Sequence, residues 1–279
     1  MLKRLFGGGK KAKRGPPGLR AYAVGDVHGR LDLLRQLVAS IEADNAARPP
    51  ARTFLVFLGD LVDRGPDSCG VVGYLLETKF EFAQPVFLKG NHEEFLLRVL
   101  SGDENTVLDW LTYGGFECAE SYGVSKGSTL NSTPEEIVRR LRDAVPDGHR
   151  AFLEGMADTF RFGDYLFVHA GIRPGVPIAE QSPHDLRWIR EGFLDCVSDH
   201  GVIVVHGHTI VDKVEQLPNR IALDTGAYRS GVLTAIGLEG DERWFLEARE
   251  AADPDEAGTA LAGSTTPDKG LRNPLSQDH

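Results

Sequence analysis

The chain has 279 residues and a formal net charge of -10. That length suits one large core or two small ones, the acidic balance argues against a general nucleic-acid binder, and no apolar run approaches the roughly 18 residues of a membrane span. Its three cysteines, Cys69, Cys118 and Cys196, are scattered and odd in number, which speaks against a disulfide framework or a CxxC zinc site and predicts a reducing, cytoplasmic setting.

Residues 1–19 are rich in Gly, Lys and Pro without periodicity and read as a flexible basic tail. A strand over Arg20–Gly25 ends in Asp26 and His28. A helix over Leu31–Ala47 follows, with Leu31, Leu34, Leu37, Val38 and Ile41 as its apolar stripe and Arg48-Pro49-Pro50 as its stop. The strand Thr53–Leu58 runs into Gly59, Asp60, Asp63 and Arg64. Asp67 and Ser68 are positioned to cap the next helix. The strand Pro85–Leu88 ends in Gly90, Asn91, His92 and Glu93. Strands alternating with helices at this spacing predict successive βαβ units. From about residue 93 to 158 the pattern is mostly helical, an insertion expected to shape substrate access rather than supply chemistry. Thr133-Pro134-Glu135-Glu136 is a helix start within it.

The sheet resumes at Tyr165–Val168, which ends in His169. Ser182-Pro183 begins a helix expected to contain Trp188 and Arg190. The strand Val202–Val205 ends in His206-Gly207-His208, and Ile221–Leu223 leads into Asp224–Tyr228. Val232–Leu238 and Glu242–Glu247 read as a closing hairpin, which bounds the folded domain at residues 20–250. Residues 251–279 have a disordered composition.

Five strand ends therefore terminate in Gly with Asp, Asn or His. A lone histidine is usually structural, and His149, His184, His200 and His279 are set aside on that ground. The recurrence at five strand ends points to metal, since ligands collect at the carboxyl ends of strands in α/β sheets. Mixed carboxylate, imidazole and amide donors suit manganese, iron or zinc, and the donors are numerous enough for two ions sharing Asp60. A two-metal site suits phosphoester hydrolysis, with Arg64 and Arg190 as candidate phosphate clamps. A histidine held protonated by a carboxylate can supply the leaving group's proton.

GDVHG (25–29), GDLVDRG (59–65), GNHE (90–93), HAG (169–171) and HGHT (206–209) together resemble the metallophosphoesterases of the phosphoprotein phosphatase (PPP) family, in particular its bacterial and phage serine/threonine branch. The resemblance spans about residues 21–238 and is loose in the insertion. It implies a calcineurin-like α/β sandwich of two mixed sheets flanked by helices. It implies that Asp26 and His28 hold a first metal, that Asp60 bridges two, and that Asn91, His169 and His208 hold the second. The ions would be manganese, with iron or zinc as alternatives. By the same resemblance His92 is the proton donor, paired with Asp63, and Arg64 binds phosphate. Arg190 stands where phage-type relatives carry a second phosphate-binding arginine, and Tyr228 near a tyrosine of eukaryotic members. Attack by a metal-bridging hydroxide without a phosphoenzyme would follow. His206 reads either as a support behind the ligands or as a structural residue.

The expected substrate is a phosphoprotein carrying phosphoserine or phosphothreonine. Dinucleoside polyphosphate hydrolysis is the alternative, because bacterial diadenosine tetraphosphatases share most of the motifs. The Asp63-Arg64 pair and the GNHE ending favour the protein phosphatases. A non-catalytic binding module is disfavoured because every expected ligand is present.

Overall fold

The computed structural model describes residues 13–251. Among them are strands β1 (Leu19–Val24), β2 (Arg52–Phe57), β3 (Gln84–Phe87), β4 (Thr159–Phe162), β5 (Tyr165–Val168), β6 (Ile203–His206), β7 (Glu215–Gln216), β8 (Arg220–Ala222), β9 (Val232–Glu239) and β10 (Glu242–Arg249). They form two mixed five-stranded sheets, ordered β10-β9-β1-β2-β3 and β4-β5-β6-β8-β7. The inner strands β1, β2 and β3 run parallel in one sheet, and β5, β6 and β8 run parallel in the other.

Alternation along each strand sorts side chains between two layers. Ala21, Ala23, Phe54, Val56 and Leu58 meet Phe162, Tyr165, Phe167, Ile203, Val205 and Ile221 in a core between the sheets. Tyr22, Val24, Leu55 and Phe57 face the opposite way, into the core shared with the helices. The second sheet is covered on its far side by Leu186 and Phe193 packed on Leu166, Val168 and Val204.

The helices are α1 (Leu31–Ala47), α2 (Ser68–Glu77), α3 (Asn91–Ser101), α4 (Glu104–Trp110), α5 (Phe116–Ser121), α6 (Lys126–Leu130), α7 (Pro134–Ala144), α8 (Asp147–Glu154), α9 (Pro183–Trp188) and α10 (Ala227–Ser230). Helix α1 buries Leu33, Leu34, Leu37, Val38 and Ile41 and stops before the proline pair. Asp67 caps α2 by accepting the Gly70 N–H at 2.7 Å. Thr133 and Glu136 form a reciprocal cap on α7, with Pro134 at its first position. Helices α3 to α8 fill the predicted insertion between β3 and β4.

Three expectations need correction. Helix α9 ends at Trp188, because Ile189 turns extended, so Arg190 lies in the loop beyond it. Strand β4 occupies Thr159–Phe162, directly after the insertion, and pairs antiparallel with β5 across a tight turn. The expected tail falls outside the described residues only up to residue 12. Beyond that, the Gly15 N–H donates to the Gly240 carbonyl at 2.7 Å and the Asp164 N–H donates to the Arg14 carbonyl at 2.9 Å. The C-terminal tail from residue 252 lies outside the described residues.

Candidate metal centre and active site

The loops after β1, β2, β3, β5, β6 and β8 converge at one edge of the two sheets. Together with the loop after α9, they bring together all eleven residues singled out by sequence. Asp26, His28, Asp60, Asp63, Asn91, His92, His169 and His208 are buried there, with Arg64, Arg190 and Tyr228 at the rim.

The backbone of this edge is unusual. His28, Asp60, Asp63, Arg64 and His208 are the non-glycine residues with positive φ among the described residues, at 44°, 48°, 70°, 67° and 63°. Such conformations cost on the order of 1–3 kcal/mol each and persist only where the surroundings enforce them. Glycines make room for the close approaches. A Cβ on Gly207 would stand 1.9 Å from Asp26 Oδ1, and one on Gly90 would stand 2.1 Å from Asp60 Oδ1.

Asp60 stands at the centre. Its Oδ1 lies 3.3 Å from His169 Nε2, and its Oδ2 lies 3.6 Å from His28 Nε2 and 3.9 Å from His92 Nε2. Two groups with metal-ligand spacing share it: His28, Asp60 and His92, and Asp60, His169 and His208. His28 Nδ1 donates to the Val62 carbonyl at 2.8 Å, and His169 Nδ1 donates to the Leu58 carbonyl at 2.9 Å. This is the support that metal-binding histidines receive, and it leaves each Nε2 aimed inward. His169 Nε2 faces Asn91 Oδ1 at 3.0 Å and Asp60 Oδ1 at 3.3 Å. Two oxygens converging on one imidazole nitrogen need positive charge between them, a proton on Nε2 or a metal ion, and against the effect of burial Asp60 raises the His169 pKa. Asn91 Oδ1 also lies 2.8 Å from His208 Nδ1.

Unpartnered atoms say the same. Asp26 Oδ1 is buried without a hydrogen bond, although Asp26 Oδ2 accepts the His208 N–H at 2.9 Å. Five carboxylates, Asp26, Asp60, Asp63, Glu93 and Asp224, are buried here, a concentration of charge that is costly without cations. Burial, then the charges of Asp224 and Asp60, pushes Asp26 well above the ordinary carboxylate range. Burial works the same way on Asp60, but the surrounding histidines, His169 first, outweigh it and hold its carboxyl well below that range. Burial and the charge of His92 push His28 well down, and burial takes His208 down to about 2. The donor set and its geometry fit divalent metal.

On Nδ1, His92 carries a carboxylate partner that the other site histidines lack there, and like His169 it has a raised pKa. Its Nδ1 is 2.7 Å from Asp63 Oδ2, and burial of the ring is outweighed by Asp60 and Asp63, so its pKa lies above the usual value. Arg64 extends Nη1 to within 3.1 Å of His28 Nε2 and stacks its guanidinium 5.1 Å from the Tyr228 ring centroid. Tyr228 in turn meets His28 edge-on at 5.3 Å. Arg190 donates to the His208 carbonyl at 3.3 Å, so its guanidinium reaches the site from the loop beyond α9. His206 is buried behind this layer against Phe193, its Nδ1 3.0 Å from the Gly207 carbonyl. His149 and His200 instead contact Tyr122 and Asn219, and His184 stacks on Trp188.

Sequence reading missed three contributors. Glu93 is fully buried and accepts four backbone N–H groups, from Asp60 (2.9 Å) and Gly90 (2.8 Å) on one oxygen and from Leu61 (2.7 Å) and Val62 (3.3 Å) on the other. Its place in GNHE was the available signal. Asp224 lies beside Asp26, and burial, against the Gly226 N–H and with the help of Asp60, pushes it up to about 6. Trp110, from the insertion, donates its indole N–H to both Asp63 oxygens at 3.0 and 3.2 Å. No local pattern marks it, and it brings the insertion into contact with the site. A groove of about 550 Å³ leads away from Arg64, lined by residues 111–114, Phe116, Glu117 and Tyr228.

Fold and site together define a metal-dependent phosphoester hydrolase. The chain belongs to the calcineurin-like phosphoesterase family, whose model matches residues 19–236. It is 34% identical over 226 residues to serine/threonine-protein phosphatase 1 of Salmonella typhimurium, covering 78% of this chain and 91% of that one. It is 27% identical over 245 residues to an asymmetrical bis(5'-nucleosyl)-tetraphosphatase of Bacillus velezensis, covering 81% and 91%. The fold is shared with the crystal structure of a proposed diadenosine tetraphosphatase, at TM-score 0.60 and 21% identity over 86% of this chain and 100% of that chain. Among the described residues no helix is long and apolar enough to cross a membrane.

Proposed function

We propose that the chain is a phosphomonoesterase acting on phosphoserine and phosphothreonine in proteins, with two divalent ions, manganese first, held by Asp26, His28, Asp60, Asn91, His169 and His208. The observation that carries this reading is the His92–Asp63 pair. A serine or threonine alkoxide is a strong base and cannot leave without a proton, whereas the phosphate or nucleotide expelled from a dinucleoside polyphosphate is a much better leaving group. A buried histidine held 2.7 Å from a carboxylate is a proton donor suited to the harder case.

Bound metal supplies Lewis acidity to the phosphoryl oxygens and lowers the pKa of water. The chain's own residues do the rest. Arg64 binds phosphoryl oxygens and is braced by Tyr228. Arg190 approaches the same oxygens from the loop after α9. His92 keeps its Nδ1–H on Asp63 and gives its Nε2 proton to the departing oxygen. Burial and Asp63 push the Cys118 thiol well up, so it is no nucleophile.

The groove beside Arg64 supports the same choice. Its charged lining residues are Arg64 and Glu117, which offers no surplus of cations to a polyphosphate chain and accommodates a neutral polypeptide segment. The greater identity to a relative named as a protein phosphatase agrees. The free cysteines Cys69, Cys118 and Cys196 suit a cytoplasmic enzyme. The test is manganese-dependent hydrolysis of a phosphoserine peptide, a phosphotyrosine peptide, diadenosine tetraphosphate and an aryl phosphate, with Asp60→Asn as control. Fast phosphoserine turnover that disappears in the control is expected. A strong preference for the dinucleotide would overturn the substrate assignment.

A further inference from the structure

The insertion reaches the site through one turn. Trp110 ends α4 and is followed by a kink over Leu111–Gly115, where Gly114 leaves helical geometry before α5 begins. The turn closes tightly on the indole. Gly114 has φ 111°, and a Cβ on Gly115 would stand 2.4 Å from Trp110 Cδ2. The turn holds two site residues at once. Trp110 Nε1–H is shared between the Asp63 oxygens, the Arg64 N–H donates to the Gly114 carbonyl at 3.0 Å, and Arg64 Nε reaches the Tyr113 carbonyl at 3.4 Å.

A buried indole N–H needs an acceptor, and any backbone carbonyl would serve. Here the acceptor is the carboxylate that orients His92, on a residue whose own backbone is strained at φ 70°. The Asp63 N–H is committed to Ser68 Oγ at 2.9 Å, so the backbone is tied down, and the indole holds both oxygens of a carboxylate that the Cys118 thiol also meets. We infer that Trp110 is a positioning residue for proton transfer, fixing Asp63 so that His92 directs its Nε2–H at the leaving oxygen. The inference rests on His92 as the proton donor. As a water-derived oxygen bonds to phosphorus and the ester P–O bond breaks, the electron pair of the broken bond goes to the leaving oxygen, which takes the Nε2 proton. His92 is left neutral and still donates Nδ1–H to Asp63.

The test is leaving-group dependence, which a packing role would not alter. Trp110→Phe, and a benzothienyl isostere of tryptophan at position 110 that keeps the shape and lacks the N–H, are compared with wild type and His92→Asn on p-nitrophenyl phosphate, phenyl phosphate and a phosphoserine peptide. General acids contribute ~10²- to 10⁴-fold, so the kcat loss is expected to grow from ~3-fold on the nitrophenyl ester to ~30-fold on the peptide. KM and calorimetric manganese affinity should hold. Equal losses across the series, or a shifted manganese affinity, would overturn the inference. If Trp110→Phe does not fold, the isostere decides. A flat series in Trp110→Phe beside a steep one in His92→Asn removes the role of Trp110 alone. A flat series in His92→Asn removes the proton-donor assignment, and the role of Trp110 with it.

Discussion

Asp60 shows how much one residue is asked to do in this site. Its carbonyl accepts the Val27 and His28 N–H groups at 3.1 and 2.8 Å, its N–H is held by Glu93, and its carboxylate lies within 4 Å of His28, His92 and His169. Asp60→Asn keeps the volume and removes the charge, and is expected to abolish metal-dependent hydrolysis while leaving the far-UV circular dichroism spectrum intact. Glu93 makes the opposite case, a buried charge that never meets substrate. Glu93→Ala strands four buried N–H groups, each worth ~1–3 kcal/mol when unsatisfied, and is expected to cost ~3 kcal/mol or more in urea denaturation. His206 provides a pH effect with a defined sign. Burial pushes it to about 3, while the unfolded chain binds a proton near 6.5, so the unfolded state takes up more protons between those values. Its stabilising contribution is therefore full above pH 6.5 and is lost as pH falls toward 3. Between pH 7 and 5 this amounts to ~2 kcal/mol. In metal-free protein, His206→Gln should lose about that much less over the interval. A variant as acid-sensitive as wild type would show that His206 is not the group responsible.

At the level of elements, strand ends place the ligands and turns direct them. The parallel strands β1, β2, β3, β5, β6 and β8 all end at one edge because crossover connections carry the chain back, through helices in most cases and through β7 between β6 and β8. Gly207→Ala, just after β6, puts a Cβ where Asp26 Oδ1 stands. It should depress activity and manganese affinity together, and unaltered values for both would show that the carboxylate can move aside. Helix α7 is a control far from the chemistry. Removing its cap with Thr133→Ala should cost ~1 kcal/mol and leave kcat unchanged. A fall in kcat would reveal coupling between α7 and the site.

For the whole molecule, a cluster of buried carboxylates and histidines means that stability and metal occupancy are linked. A ligand that binds only the folded state stabilises it by RT ln(1 + [L]/Kd), about 2.7 kcal/mol at a hundredfold excess over Kd. Chelation with EDTA should lower Tm, manganese should restore it, and Asp60→Asn should be insensitive to both. A wild-type Tm indifferent to chelator would mean that the site holds no metal in the folded protein.

The sequence by itself determined the alternating βαβ order, the five strand ends carrying Asp, Asn and His, and the helix starts at Asp67, Thr133 and Ser182, because periodicity, caps and Gly-bounded motifs are local signals. The grouping of Asp60 with His169 and His208 came from the family resemblance of the motifs, not from any local pattern. The sequence did not supply the β4–β5 hairpin, which turns over Gly163-Asp164, or the end of α9, where Ile189 turns extended, although both are local. The contacts of Trp110 and Asp224 depend on residues distant in the chain. Trp110 lies 47 positions from Asp63, and nothing in the sequence around it announces a hydrogen bond that only the packing of the insertion against the β2 loop creates.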